Sequence, residues 1–355
     1  MEKKSYGHYI QYIPGVRFWI ITTGVIIAFT ALKAASQIVN TILLAAFLTA
    51  ISLAPLNWLK KKGVNNIVAN FIIVLSIIAM VGLIGIILGE TAFSFSDKLP
   101  VYQERFHELF TNTMNDLADY GLIEKETSDP KNFKAVKILP AAAPIASKVG
   151  KIIADAFIVF FMFIFMLFEA EQFSKKMAYI SKSSSKDSDL IIKKLGHYFG
   201  IKTLTSLATG LIVGLSMFII GVEFPILWGF IAFILNYIPS IGSIIAAVPA
   251  VLIAFVMHGP LTGFITIIIY LVVNTLVGSV IEPQLMGKNL GISPLIVFVS
   301  MIFFGYLLGP IGMLIATPLA IVIKIIFDSR DVTKNLGIMI GDGREIKEPP
   351  SETED

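Results

Sequence analysis

The chain has no cysteine among its 355 residues. This absence excludes disulfide bonds, thiolate catalysis and cysteine-based metal sites. Histidine is nearly as scarce, and no two histidines have the spacing of a zinc motif such as H-E-x-x-H. We therefore expect neither a metal ion nor a cofactor. The histidines are His8, His107, His197 and His258.

Motifs of two large enzyme classes are also absent. No G-x-x-x-x-G-K-[ST] loop is present, and Gly287 followed by Lys288 does not make one, so ATP hydrolysis by that route is excluded. No G-x-S-x-G turn is present either, which leaves a membrane-embedded hydrolase without a nucleophile. We predict that the protein is not an enzyme and has no catalytic residues.

Charge is the third thing the chain has little of. Charged residues make up 15% of the chain and hydrophobic residues 55%, whereas a soluble protein carries about a quarter charged residues. The mean hydropathy is +0.80. The net charge of +3 gives no indication of a nucleic acid partner. The composition indicates an integral membrane protein, and we expect its first apolar run to be a retained anchor.

Eight hydrophobic segments follow one another along the chain. We predict an all-α, polytopic helical membrane protein with about six spanning helices and two re-entrant helical hairpins. Charges at the ends of the segments support this reading, because the positive-inside rule places lysine clusters in the cytoplasm. The segments are residues 18–32, 38–58, 67–88, 152–168, 204–221, 225–257, 261–281 and 294–327.

Two of these segments, 225–257 and 294–327, are broken in the middle by proline and glycine. As a straight helix each would be about 50 Å long, against a bilayer core of about 30 Å. Half of each segment is long enough to reach the middle of the membrane, so the other half can return to the same side. Backbone that unwinds at this depth must face protein or a water-filled cavity. A matched pair of such breaks points to the binding site of a transporter. Charge does not decide whether each segment is re-entrant or spanning.

The lysine clusters at 60–62 and 175–194 predict a topology. With both in the cytoplasm, residues 91–149 are extracytoplasmic, and both termini are cytoplasmic. We expect 91–149 to form an amphipathic helical subdomain with a helix start near Pro100, acting as a structural cap or as a ligand-binding lid. The predicted regions are a cytoplasmic N-terminus (1–15), three transmembrane helices (16–90), this subdomain (91–149), a transport core (150–328) and a cytoplasmic tail (329–355).

Several stretches resemble the autoinducer-2 exporter family. They are 221–229 (GVEFPILWG), 236–242 (NYIPSIG), 281–288 (IEPQLMGK), 309–312 (GPIG) and 316–320 (ATPLA). The resemblance implies two helical hairpins that shape the substrate path, a homo-oligomer of pentameric type, and an elevator-like shift of each protomer. It also implies a bacterial inner membrane location. Members are linked to export of the quorum-sensing furanone autoinducer-2, and some to sodium (or lithium)/proton antiport.

The two breaks supply most of the candidate substrate-path residues. Their polar side chains and freed carbonyls can hold a cation or a small polar solute, although the breaks can equally be packing kinks. Glycine there permits positive φ and close backbone approach. The candidates are Asn236, Tyr237, Pro239, Ser240 and Gly242 in the first break, and Gly309, Pro310 and Gly312 in the second.

Three further candidates lie in and after the span that separates the breaks. Asn274 and Thr275 form a polar patch that serves either interhelical bonding or substrate lining. Glu282 is a coupling residue if it lies at membrane depth and an anchor if it lies among the headgroups. Elsewhere we expect Lys324 to snorkel to the cytoplasmic surface, and Lys202 and Glu223 to mark the ends of a span.

These features lead to one principal hypothesis and one rival. The first is a secondary transporter or facilitator that exports a small polar solute similar to autoinducer-2, with Na⁺ or H⁺ coupling left open. The second is a sodium (lithium)/proton antiporter on the same fold. An intramembrane enzyme lacks its catalytic residues, and the paired breaks argue against a scaffold. The expected partners are the solute or ion, the lipid bilayer and further copies of the chain.

Overall fold

The computed structural model describes residues 16–120, 144–180, 182–239, 241–286 and 291–343. This part of the chain is helical and contains no strand. Its helices are α1 (Val16–Ala34), α2 (Ser36–Lys61), α3 (Asn66–Asp119), α4 (Pro144–Ile180), α5 (Lys182–Ile219), α6 (Pro225–Leu235), α7 (Gly242–Val273), a π-helical segment (Asn274–Ile281), α8 (Glu282–Met286), α9 (Pro294–Leu308), α10 (Pro310–Asp328) and α11 (Lys334–Ile340).

Long apolar helices dominate the described residues. Five stretches are long and apolar enough to cross a membrane, and three shorter apolar helices accompany them. The prediction of a polytopic helical membrane protein is thus confirmed. The five stretches are Ser36–Lys61, Asn66–Phe95, Leu190–Ile219, Gly242–Met286 and Pro310–Asp328; the shorter helices are Phe18–Ala34, Pro225–Leu235 and Pro294–Leu308.

Helix α3 is much longer than its apolar part. The side chain of Asn65 accepts a hydrogen bond from the backbone N–H of Ile67 (3.0 Å) and so caps its first turn. The helix then continues through Pro100 to Asp119 without a break. The predicted helix start near Pro100 is therefore wrong. Proline removes only one backbone donor, and the helical pattern on both sides of it outweighs that loss.

The first broken segment folds as a helical hairpin. Its arms are α6, about 16 Å long, and the first part of α7, about 25 Å long up to Gly259. Gly259 has φ 84° and ψ 177°, a conformation that suits glycine, and Pro260 follows. The rings of Phe255 and Phe264 lie 5.3 Å apart, so the chain bends sharply between them. Helix α7 is thus two helices joined at a kink.

The second broken segment is the hairpin of α9 and α10, about 22 and 28 Å long, which pack closely against each other. Helices α1 and α2 both contact this hairpin near its tip. The Phe29 and Phe303 rings lie 5.2 Å apart, the Lys33 ammonium lies 3.6 Å from the centre of the Tyr306 ring, and the Asn40 amide donates to the Leu308 carbonyl (3.1 Å).

The two ends of the molecule differ in their charges. Lys60 and Ile192 line one cavity, so the basic clusters 60–62 and 193–194 lie at the same end. At the other end Lys98, beyond the apolar part of α3, forms an ion pair with Glu223 (2.8 Å). Two lysine clusters thus share one end of the bundle, and their cytoplasmic placement stays a prediction.

Lys324 does not reach the surface as predicted. Its side chain is fully buried and pairs with Asp328 (2.6 Å). Helix α11 folds back against the end of α10 and covers it. The snorkelling prediction failed because the covering helix lies beyond the apolar run, where the sequence pattern gives no sign of tertiary contact.

Candidate functional site

The tip of the first hairpin is anchored to α5 by two side-chain hydrogen bonds. The Asn236 amide donates to Ser206 Oγ (3.0 Å), and the Tyr237 hydroxyl pairs with Thr203 Oγ1 (2.8 Å). Asn236 is 7% exposed and Tyr237 is 3% exposed. Both residues predicted from the break therefore face a polar surface of α5 inside the apolar bundle.

The backbone of this tip turns tightly. The Pro239 carbonyl accepts a bond from the Ile241 N–H (2.6 Å), and Gly242 starts the second arm. A Cβ on Gly242 would lie closer than 3.0 Å to the Leu235 carbonyl, so only glycine fits. The predicted close approach holds, but Gly242 does not have the positive φ that was also expected. Ser240 lies outside the described residues.

The tip of the second hairpin is built differently. Here the positive φ falls on Gly309 (70°), and Pro310 begins α10 directly after it. Gly312 has no positive φ, but a Cβ there would collide with the Phe304 carbonyl. The expectation of positive φ at Gly242 and Gly312 was wrong because the chain reverses before each of them. Each occupies the first turn of the returning helix, where the two arms are closest.

The tip of the first hairpin packs against the side of the second hairpin. Ile238 of the first hairpin, Met301 of α9 and Ala316 of α10 form one buried apolar cluster. Partly buried neighbours from both hairpins surround it, namely Leu235, Ile241, Phe304, Met313 and Leu314. Met301 and Ala316 lie about two turns from Gly309, so the first tip contacts the arms of the second hairpin and not its tip.

A buried ion pair adjoins the first tip. The Lys202 ammonium lies 2.6 Å from Glu282 Oε1, and Thr205 Oγ1 lies 3.3 Å from Glu282 Oε2. The side chains of Lys202 and Glu282 are 5% and 14% exposed. Lys202 lies within the apolar span Leu190–Ile219 and is not the boundary anchor that was predicted.

Glu282 is held differently from what its sequence context indicated. A proline such as Pro283 commonly ends a helix, which would leave the carboxylate near unpaired carbonyls. Instead α8 continues from the π-helical segment, and Pro283 lies within this continuous helical run without ending it. The carboxylate points at α5, and its partners are side chains.

Of the polar patch before Glu282, one residue joins the site. Asn274 Oδ1 accepts a hydrogen bond from Ser243 Oγ (2.7 Å), beside the first tip. Thr275 is exposed on the outer surface of the helix. The start of the π-helical segment at Asn274 widens the helix where it passes the tip, and such segments recur at functional sites.

The polar face of α5 is the part of the site that the sequence reading missed. Lys202, Thr205, Ser206 and Thr209 are buried and recur at helical spacing. The Thr209 hydroxyl has no hydrogen-bond partner among the described residues. The signal was present as a lysine followed by hydroxyl residues three, four and seven positions later within an apolar span.

Glu223 belongs to a separate cluster at the end of the bundle opposite the lysine clusters 60–62 and 193–194. Its carboxylate pairs with Lys98 and accepts a bond from the Tyr102 hydroxyl, while its carbonyl accepts the Trp228 indole N–H (2.7 Å). Burial raises the pKa of the Glu223 carboxyl, but Lys98, Tyr102 and His258 outweigh it and leave the pKa below its usual value. Burial and the Glu223 carboxylate raise the pKa of Tyr102.

Comparison with known proteins identifies the family. The family model described as "AI-2E family transporter" matches residues 18–330. "Putative transport protein YhhT" of Escherichia coli K12 is 30% identical over 335 residues, covering 93% of this chain and 95% of that protein. A "Putative transport protein" of Haemophilus influenzae is 32% identical over 334 residues, covering 91% and 95%.

A relative with a named substrate is more distant. "AI-2 transport protein TqsA" of Escherichia coli K12 is 27% identical over 333 residues, covering 93% of this chain and 97% of TqsA. The family match and the paired hairpins agree, and the resemblance seen in the sequence is confirmed: the chain belongs to the AI-2E family of membrane transporters.

Proposed function

We propose that the protein is a secondary transporter or facilitator that exports a small polar solute from the cell. The observation that carries the proposal is the polar face of α5, which meets the first hairpin tip and Glu282 within an apolar bundle. Burying a polar group in such surroundings is costly unless it is paired or used. A solute with hydroxyl groups can exchange hydrogen bonds with these side chains.

The proposed substrate class is a small polyhydroxylated molecule of the autoinducer-2 type. The support is the relationship to TqsA, whose name assigns it AI-2 transport. The site chemistry is compatible with this class, because Asn236, Ser206 and Thr203 offer neutral donors and acceptors. No catalytic role is assigned to any residue.

The proposed movement is an elevator-type shift of the core that carries both hairpins. The support is the apolar cluster in which Ile238 of the first hairpin packs against Met301 and Ala316 of the second. Tyr237 contacts Phe47 of α2, with ring centres 5.4 Å apart, so a shift of the core would change that contact.

We place the protein in the inner membrane with both termini in the cytoplasm, as a homo-oligomer of pentameric type.

A sodium (lithium)/proton antiporter is the alternative, and the Lys202–Glu282 pair is the observation that favours it. A carboxylate within the bundle can exchange a proton for a cation if its lysine partner releases it. In the exporter, the same pair would stabilise the empty carrier as a structural contact.

Reconstituted liposomes test the proposal and separate the two functions. Purified protein is assayed for autoinducer-2 efflux with and without an imposed Na⁺ or H⁺ gradient, and a pH-sensitive dye records proton movement on Na⁺ or Li⁺ addition. Saturable efflux without cation-induced proton movement supports the exporter. Proton movement without solute flux supports the antiporter. The absence of both signals would contradict both functions.

A further inference from the structure

A cavity of about 510 Å³ lies between α2, α3, α4 and α5, outside the site described above. It extends about 20 Å along α2, from Lys60 at the helix end to Ala46. Its wall includes Ala50, Asn57, Lys60, Asn70, Glu169 and Gly196.

Asn70 is an unusual residue in this wall. It is 7% exposed, and its side-chain oxygen has no hydrogen-bond partner among the described residues. An unpaired acceptor that is removed from bulk water is energetically costly. Such a group persists when a ligand or water supplies the missing donor. Asn70 is therefore suited to receive a hydroxyl or N–H group.

The inner end of the cavity approaches the transport site. Phe47 follows Ala46, and its ring lies 5.0 Å from that of Phe199 and 5.4 Å from that of Tyr237. Phe199 is one turn beyond Leu195 on α5, and Tyr237 belongs to the first hairpin tip. These three rings form one cluster that connects the inner end of the cavity to the first hairpin tip.

The outer end of the cavity carries charge and lies at the lysine-rich end of the bundle. Lys60 and Glu169 both line the cavity there, together with Asn57. A lipid chain would find this end unfavourable, whereas a polar solute arriving from water would not. The cavity thus has a polar entrance, an apolar wall with one unpaired acceptor, and an aromatic closure at its inner end.

From this arrangement we infer that the cavity is the vestibule through which a small uncharged hydroxylated solute enters from the cytoplasm. Asn70 is its first docking point, and Phe47, Phe199 and Tyr237 close its inner end. This inference rests on the proposed export function and names a second, lower-affinity site on the route to the hairpin tips.

Thiol labelling tests whether the cavity is filled with water, independently of transport. Because the chain has no cysteine, Ala50→Cys and Gly196→Cys each provide a single probe. We expect a charged, membrane-impermeant methanethiosulfonate applied from the cytoplasmic side to modify both. Leu75→Cys, an exposed position deep in the apolar span of α3, is the matched control and should react only with a lipid-soluble maleimide. If Ala50→Cys and Gly196→Cys react only with the lipid-soluble maleimide, the inference is overturned.

Transport by the same variants tests whether the cavity lies on the route. Modified Ala50→Cys should lose at least about tenfold in efflux rate, while modified Leu75→Cys should not change. Asn70→Leu should raise the KM for autoinducer-2 about three- to tenfold with kcat retained, the effect of losing one hydrogen bond to the solute. Labelled cavity probes with unchanged efflux, or Asn70→Leu with an unchanged KM, would overturn the inference. An unmodified parent without efflux would contradict the proposed function instead.

Discussion

At the residue scale, the ion pair of Lys202 and Glu282 has the largest consequence for stability. Two opposite charges in an apolar bundle compensate each other, whereas one alone is left unpaired. We expect Lys202→Met and Glu282→Gln each to destabilise the protein by about 3–5 kcal/mol. The double variant should recover most of that loss. Thermal unfolding in detergent measures this, with the exposed Lys176→Met as control. A double variant no more stable than the singles would refute a compensating pair.

The same carboxylate provides a test of coupling. Glu282→Gln keeps the shape of the side chain but removes its charge change. If transport is proton-coupled through Glu282, this variant should lose the pH dependence of flux and still exchange substrate across the membrane. Flux measured at several pH values decides the question. A profile that matches the parent would assign Glu282 a purely structural role.

The two glycines at the hairpin tips are constrained by neighbouring backbone. A Cβ on Gly242 or Gly312 would collide with a carbonyl of the other arm. Gly242→Val and Gly312→Val should each reduce transport by more than about tenfold, because a β-branched residue forces the arms apart. Gly85→Val is the control, since nothing lies within 4 Å of a Cβ there. Size-exclusion profiles check that assembly survives. Full activity in both Val variants would remove the tips from the mechanism.

At the element scale, the extension of α3 is tied to the base of the first hairpin. Lys98 and Tyr102 of α3 hold Glu223, which directly precedes the hairpin, and the Phe95 ring lies 5.7 Å from that of Phe224. Phe224 has a left-handed backbone (φ 58°), which is uncommon for a bulky residue and places it at the start of α6. The part of α3 beyond its apolar span therefore packs against the base of the first hairpin and holds it in place.

This connection predicts a dependence of stability on pH. The pKa of Glu223 is lowered in the folded protein, so its stabilising effect is present above the unfolded pKa, about 4.3. It is lost as the pH falls through the folded pKa. Glu223→Gln should be less stable than the parent at pH 7, and this difference should shrink below about pH 4. Melting temperatures from pH 3 to 7 measure it, and a constant difference would contradict the connection.

The hairpins could be predicted from sequence, whereas the ion pair and the length of α3 could not. Proline and glycine act on the chain locally, so the breaks near Pro239 and Gly309 were visible. The Lys202–Glu282 contact joins positions 80 residues apart, and a lysine near a span end usually marks a boundary. Pro100 usually starts a helix, and here the continuing helical pattern prevailed. The residue set at the tips was recognisable, but its partners on α5 required the fold.

At the scale of the whole molecule, orientation is directly testable. The lysine cluster 60–62 and the end of α3 lie at opposite ends of the bundle. We expect Lys61→Cys to react with an impermeant thiol reagent only from the cytoplasm, and Asn115→Cys only from outside, because positive charge is retained inside. Both positions are exposed. The reverse labelling pattern would invert the proposed direction of transport.

The central claim is that a solute crosses the membrane at the polar contact between α5 and the first hairpin tip. The most direct measurement is autoinducer-2 flux in proteoliposomes that contain the parent, Asn236→Leu or Thr275→Val. Asn236 bonds to Ser206 within the site, and Thr275 is exposed on the outer surface. The account predicts saturable flux for the parent and Thr275→Val, and at least about a tenfold loss for a folded Asn236→Leu. Saturable flux that Asn236→Leu leaves unchanged, or no flux above empty liposomes, would contradict it.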